Sequence, residues 1–180
     1  TTIADDATSN LEDMLYATAS VVDAAADQDP VNFIFSHLLS KAKFTVTSNA
    51  QNGYYHTVTG IKVSNFETGT YTIADGSWAG TGSKDVEFEE IANVTSATGA
   101  QSNAEMLLVP NAAKFNVTFT VDLYKNGTKL GTEPKSITVD TDLLKGNAYN
   151  FTIACSVGNP IQFTVTNNPQ WTTQPDVTIQ

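Results

Sequence analysis

Between Val31 and Ser48 the chain reads VNFIFSHLLSKAKFTVTS, its longest apolar, β-prone run, and the parity of the apolar positions changes inside it. Val31, Phe33 and Phe35 are odd-numbered, whereas Ala42, Phe44 and Val46 are even-numbered. Side chains on a strand alternate between faces with a period of two, so one straight strand cannot bury both sets on the same side. The segment Ser36 to Lys41 must therefore hold a bulge, a bend or a passage from one sheet to another. Strands that turn the corner of a sandwich do the last of these, and the run is read as the spine of such a fold.

The 180 residues fit one domain, which can bury about 70% of its unfolded surface without disulfides or a structural metal. The single cysteine, Cys155, can form no internal bridge and has no neighbours at zinc-ligand spacing. All nine basic residues are lysines, set against nineteen acids, for a net charge of -10. That balance opposes binding to a phosphate backbone, so nucleic acid is not an expected partner. No apolar run approaches the roughly 20 residues that span a bilayer. Nor is there a basic start followed by an apolar stretch, so the chain is expected to be soluble, with any export signal or lipid anchor removed or outside it. Only 16% of the residues are charged while Thr and Asn are abundant, a surface chemistry suited to exposed strands.

Residues 1–30 form a lead-in segment rich in Asp and Ala, and residues 31–180 are expected to form the β-sandwich domain. Two readings of the lead-in stand side by side. Asn10 can cap a short helix with Leu11, Met14, Leu15, Thr18 and Val22 on one face, or Met14 to Ala17 can lie extended along the sandwich. After the spine, strands are predicted over Tyr55 to Val63, Thr70 to Ile73, Val86 to Phe88 and Met106 to Val109. A glycine-rich loop is predicted around Trp78, from Asp75 to Ser83, and a long loop from Ala92 to Ala104. The clearest alternation runs from Phe115 to Leu123 and ends at Asn126-Gly127, a tight-turn signal. Ile137 and Val139 suggest a short strand beyond Pro134, and Asp140 to Gly146 a connection with room for one helical turn. Alternation resumes from Tyr149 to Val157, a turn falls at Gly158-Asn159-Pro160, and Ile161, Phe163 and Val165 follow. About eight to ten short strands without a βαβ rhythm indicate an all-β antiparallel sandwich.

Signals for catalysis are sparse. The only histidines are His37 and His56, neither is near a Gly-x-Ser-x-Gly elbow, and His37 inside the bend is expected to bond to backbone. Cys155 occupies an inward strand position and reads as buried and apolar. The acid pairs Glu89-Glu90 and Asp140/Asp142 could serve glycoside hydrolysis only if held about 5 to 9 Å apart. Among nineteen acids they read as solvated carboxylates. Asp23, Asp27 and Asp29 lack the glycine and closing glutamate of a Ca²⁺ loop, so no metal or cofactor is expected. Tyr54, Tyr55, Tyr71 and Trp78 could stack on sugar rings, or could cap the rim of the core with their polar ends outward.

Several motifs carry a family resemblance. The run FIFSHLLSKAKFTV, Phe33 to Val46, resembles the Phe-x-His-x-Leu-Ser-Lys signature of the fimbrillin family, the Mfa-like pilins and surface lipoproteins of Bacteroidetes-type bacteria. Asp13-Met14-Leu15-Tyr16-Ala17 is similar to the segment that precedes the signature there. Lys145 to Ile153 (KGNAYNFTI) resembles a Gly-x-x-Tyr strand of the family, and Phe163-Thr164-Val165 with Trp171 its closing strands.

The resemblance implies an immunoglobulin/transthyretin-like sandwich, the C-terminal domain of a two-domain fimbrial subunit or adhesin. Such a subunit would be exported as a lipoprotein and joined to other subunits on the outer surface by strand complementation. The family's lipid-bearing cysteine and N-terminal domain fall outside these 180 residues, and no arginine is present for a trypsin-like processing protease. Val177 and Ile179 are the residues expected to supply a strand to a neighbour, the rival reading being that they complete the chain's own sheet. A carbohydrate-binding module using Trp78, Tyr54 and Tyr55, with a host or bacterial glycan or protein as partner, is the alternative function. A surface hydrolase is a distant third.

Overall fold

The computed structural model describes residues 2–4, 12–18, 31–169 and 177–179. These hold sixteen strands and no helix. In chain order they are β1 (Thr2–Ala4), β2 (Leu15–Thr18), β3 (Val31–His37), β4 (Ser40–Ser48), β5 (Tyr54–Asn65), β6 (Thr68–Thr72), β7 (Ser77–Thr81) and β8 (Lys84–Phe88). The remainder are β9 (Ile91–Val94), β10 (Gln101–Ser102), β11 (Met106–Leu108), β12 (Phe115–Lys125), β13 (Thr128–Val139), β14 (Ala148–Ser156), β15 (Asn159–Asn168) and β16 (Val177–Ile179).

Two five-stranded sheets face each other across the core. One runs β4-β14-β15, with β10 and β11 sharing the other side of β4; the second runs β13-β12-β5, with β8 and β9 sharing the far side of β5. Two three-stranded sheets lie beyond this pair, β1-β6-β7 and β16-β3-β2. Among the described residues all ladders are antiparallel except the central one, where β14 runs parallel to β4 from Ala148↔Lys41 to Cys155↔Ser48.

The spine changes sheet as its parity requires. β3 pairs with β2 and β16, and β4, two residues later, pairs with β14, β10 and β11. Through the corner His37, Leu38, Leu39 and Ser40 are all buried, after which Ala42, Phe44 and Val46 face the core. Phe44, fully buried, lies 4.9 Å edge-on from Phe88 and 5.0 Å from Phe151. Phe163 of β15 continues the ring series, 6.0 Å from Phe151 and 6.1 Å from Phe119, so aromatic contacts join the two sheets. A second parity change, from Val58 to Ile61 in β5, falls at Gly60, whose φ is 59°. Gly60 and Ile61 together oppose Phe119, a bulge that returns the apolar set to the core.

Several local expectations are corrected. Residues 15–18 form β2 rather than a helix, in keeping with the extended reading of the lead-in. Leu11 and Val22 of the proposed helix face, its cap Asn10, and Asp23, Asp27, Asp29 and Trp171 lie outside the described residues. The glycine-rich stretch around Trp78 contains β7, which pairs residue by residue with β6. Within it Gly80 serves packing: it sits opposite Gly69 of β6, and a Cβ there would run into the Phe66 ring. The stretch 92–104 is likewise not one loop, since β9 and β10 frame a turn in which Thr95 and Thr98 bond each other.

β13 runs through Pro134, which is tolerated because β13 is an edge strand and the missing N–H faces no neighbour. Residues 140–146 hold no helical turn; Leu143 is buried and bridged to Asn111. The β14–β15 turn is Val157-Gly158, with Pro160 already in the edge strand β15. At the β12–β13 hairpin Asn126 and Gly127 take φ of 47° and 84°, as a two-residue turn of this twist requires.

Asp122 fastens that hairpin. It is 5% exposed and accepts hydrogen bonds from Lys129 Nζ and Thr132 Oγ1, both at 2.7 Å. Burial pushes its carboxyl up, but the bonds from Lys129 and Thr132 and the Lys129 charge outweigh this and hold it below its ordinary value. The ionised pair therefore contributes fully above the usual carboxylate range, and the contribution is lost as pH falls from about 4 through the folded value. Urea unfolding of Asp122→Asn should show lower stability at neutral pH and a shallower loss on acidification than the parent chain.

The bulge gives a second check. Gly60→Ala has open space for its Cβ yet must adopt positive φ, and is expected to lose about 1–2 kcal/mol. Gly131→Ala, also open but not at positive φ, should be near neutral in the same thermal-unfolding series.

Candidate binding surfaces: the corner groove and the sheet edges

The corner of the spine gathers segments from across the chain. Leu38 N–H donates to Met14 O at 2.8 Å, and Asp13 takes His37 Nδ1 at 2.9 and 3.1 Å, so the lead-in is tied down at two points. A carboxylate is thus among the partners of His37, which sequence inspection did not anticipate. The Trp78 indole N–H donates to Leu38 O at 3.0 Å, Gly146 N–H to Leu39 O at 2.8 Å, and Ser40 Oγ to Leu144 O at 2.9 Å. Tyr149, fully buried, donates its hydroxyl to Asp142 O at 2.6 Å and accepts from Leu144 N–H at 2.8 Å. Burial raises its pKa, which keeps this brace protonated.

These ties shape a groove of about 620 Å³ whose floor includes Trp78 and Phe66 and whose walls come from residues 110–113 and 143–145. The walls are joined by paired hydrogen bonds between Asn111 and Leu143, at 2.9 and 2.7 Å. Lys145 stands at the groove, its Nζ 3.0 Å from Tyr71 Oη and 3.3 Å from Gly76 O.

The four aromatic candidates fall in two places. Trp78 and Tyr71 are on β7 and β6 with ring centroids 5.4 Å apart. Tyr54 and Tyr55 are on β5, where Tyr55 stacks on Tyr124 at 4.9 Å and Lys125 lies 4.6 Å over the Tyr54 ring. One face of each of these two rings is therefore already occupied. Val177 and Ile179 are in β16, paired with β3 of the same chain through Val177↔Phe33 and Ile179↔Val31.

A smaller groove of about 390 Å³ opens where the edge strands β13 and β15 leave the sandwich seam, between Thr132, Glu133 and Ile161. His56 borders it, and Ser48 Oγ lies 2.8 Å from its Nδ1 while accepting from Ala50 N–H at 3.0 Å. Burial lowers the His56 pKa, favouring the neutral ring. Ser48 is thus held on both sides and braces the turn before β5. Cys155 is 2% exposed, and burial followed by the nearby Glu133 charge pushes its thiol up to about 11, so it stays protonated and inert. Glu89, Glu90, Asp140 and Asp142 are all exposed, and Asp140 pairs with Lys114. No metal-binding cluster of acids, histidines or cysteine occurs among the described residues.

Comparison with solved structures returns a fimbrial protein from Bacteroides vulgatus, with a TM-score of 0.53 and 15% identity, covering 78% of this chain and 56% of that one. A candidate cell adhesion protein from Bacteroides uniformis aligns over 88% of this chain and 66% of that one, at 17% identity and a TM-score of 0.47. The chain therefore spans little more than half of the first of these proteins, and at such identity the likeness speaks to the fold. No curated protein matches in sequence. The fimbrillin-like family model matches residues 1–171, almost the whole length, and the chain belongs to that family.

Proposed function

We propose that the chain is a non-enzymatic structural subunit of a bacterial surface fimbria or adhesin, joined to other fimbrial subunits by strand exchange and working in attachment. The observation that carries this reading is the fimbrillin-like match over residues 1–171. In this reading residues 31–180 form the load-bearing sandwich and residues 1–30 lead into it. The precursor is exported to the outer face of the outer membrane, anchored there through lipid.

The exchange would use β16. It is three residues long and, among the described strands, pairs with β3 alone, whereas β3 is held on its other side by β2. The same antiparallel register can form between two copies, with Val177 and Ile179 of one lying on β3 of the next, because swapping an identical element replaces every bond it breaks. The wide edges of the sandwich suit this role less well. β13 carries Pro134 with Lys129 and Lys135, and β15 carries Pro160, residues that blunt an edge against open-ended pairing.

The test is a gel of assembled material. Ladders of SDS-resistant oligomers are expected from the parent chain, and deletion of residues 175–180 is expected to remove them while leaving the thermal unfolding of the monomer little changed. Ladders that persist after the deletion would rule out β16 as the exchanged strand.

A further inference from the structure

We infer that the corner groove is a saccharide site, and that it takes a pyranose bearing a carboxylate, such as a uronic acid residue. The inference rests on the attachment role proposed above and names the ligand chemistry of one surface.

Three features support it. The floor is low and aromatic, because Gly69 and Gly80, paired with each other, carry no side chains, the Trp78 ring lying against Gly69 and the Phe66 ring against Gly80. A Cβ at Gly69 would come within 2.9 Å of the indole, so only glycine leaves the ring seated this low on the sheet. Such a surface matches the apolar face of a sugar ring, whose axial C–H groups lie against an aromatic plane. The Trp78 N–H is already satisfied by Leu38 O, so the indole can offer its face without an unmet polar demand.

The groove is also built before any ligand arrives. Its two walls are bonded to each other through Asn111 and Leu143, and the second wall is fixed again by Tyr149 and Ser40. Its volume of about 620 Å³ falls among sites for small ligands, roughly 300 to 1,000 Å³. Little ordering cost would remain on binding.

The charge selects the ligand. In a chain of net charge -10, Lys145 places an ammonium at a groove whose other lining is largely apolar. Both of its hydrogen bonds go to neutral oxygens, Tyr71 Oη and Gly76 O, which aim the ammonium without neutralising it. A carboxylate beside the sugar ring supplies the opposite charge, and a charge-assisted bond of this kind is about twice as strong as a neutral one. Tyr54 and Tyr55 stand at the start of β5 and do not line this groove.

The chain has two tryptophans, so in a Trp171→Phe background Trp78 reports alone. Methyl glucuronide is expected to change its fluorescence saturably in the millimolar range, with a Kd about tenfold or more below that of methyl glucoside. Lys145→Gln, at an exposed position, should abolish this preference, bringing the glucuronide Kd to that of the glucoside. Trp78→Phe, which retains a ring, should weaken both sugars. No fluorescence change with either sugar, equal affinity for the two, or a preference that survives Lys145→Gln would each overturn the assignment. Because the titration uses monomer, its failure would leave the oligomer ladders, and the subunit reading they test, untouched.

Discussion

Everything in this molecule turns on the four buried residues at which the spine leaves one sheet for another. A chain that changes sheets surrenders its ladder partners on both sides, and backbone groups buried without partners cost several kcal/mol. Here those groups are met by Met14, Trp78 and Gly146, while the Ser40 hydroxyl reaches Leu144. The lead-in, the β6–β7 hairpin and the loop before β14 are therefore all held by one corner. Remove the parity change between Phe35 and Ala42 and none of these contacts would have a reason to exist.

The same economy explains why chemistry is scarce and surface is plentiful. The two histidines weighed for catalysis are engaged in bracing, His37 on Asp13 and His56 on Ser48, and Tyr149 braces its own loop. Asn65 even substitutes for a strand, its amide exchanging two bonds with Val109. What remains open is the periphery, namely a short terminal strand on β3 and a groove floored by rings.

Where burial imposed a period of two, the sequence was legible. The spine's parity flip, the run from Phe115 to Leu123 and the turn at Asn126-Gly127 all appear in the structure where local rules place them. Legibility failed where exposure or long-range packing took over. Most of β13 is exposed, so nothing marks it as a twelve-residue strand, and Pro134 argued against it. The glycines near Trp78 looked like loop residues because the rings they accommodate, Phe66 above all, lie outside the stretch in sequence. The groove was invisible for the same reason: its walls lie 30 or more residues apart and are joined through the Asn111–Leu143 bridge. Tyr54 and Tyr55 looked available because their cover, Tyr124 and Lys125, is a register property of β5 and β12.

The lone parallel ladder has a kinetic consequence. β4 ends at Ser48 and its partner β14 begins at Ala148, so the middle of the core cannot close until about a hundred intervening residues are in place. Contacts this far apart in sequence carry a large loop-closure cost and make for slow maturation. A nascent or threading polypeptide would hold its hydrophobic centre unassembled until β14 emerged, and would remain pliable for that whole interval.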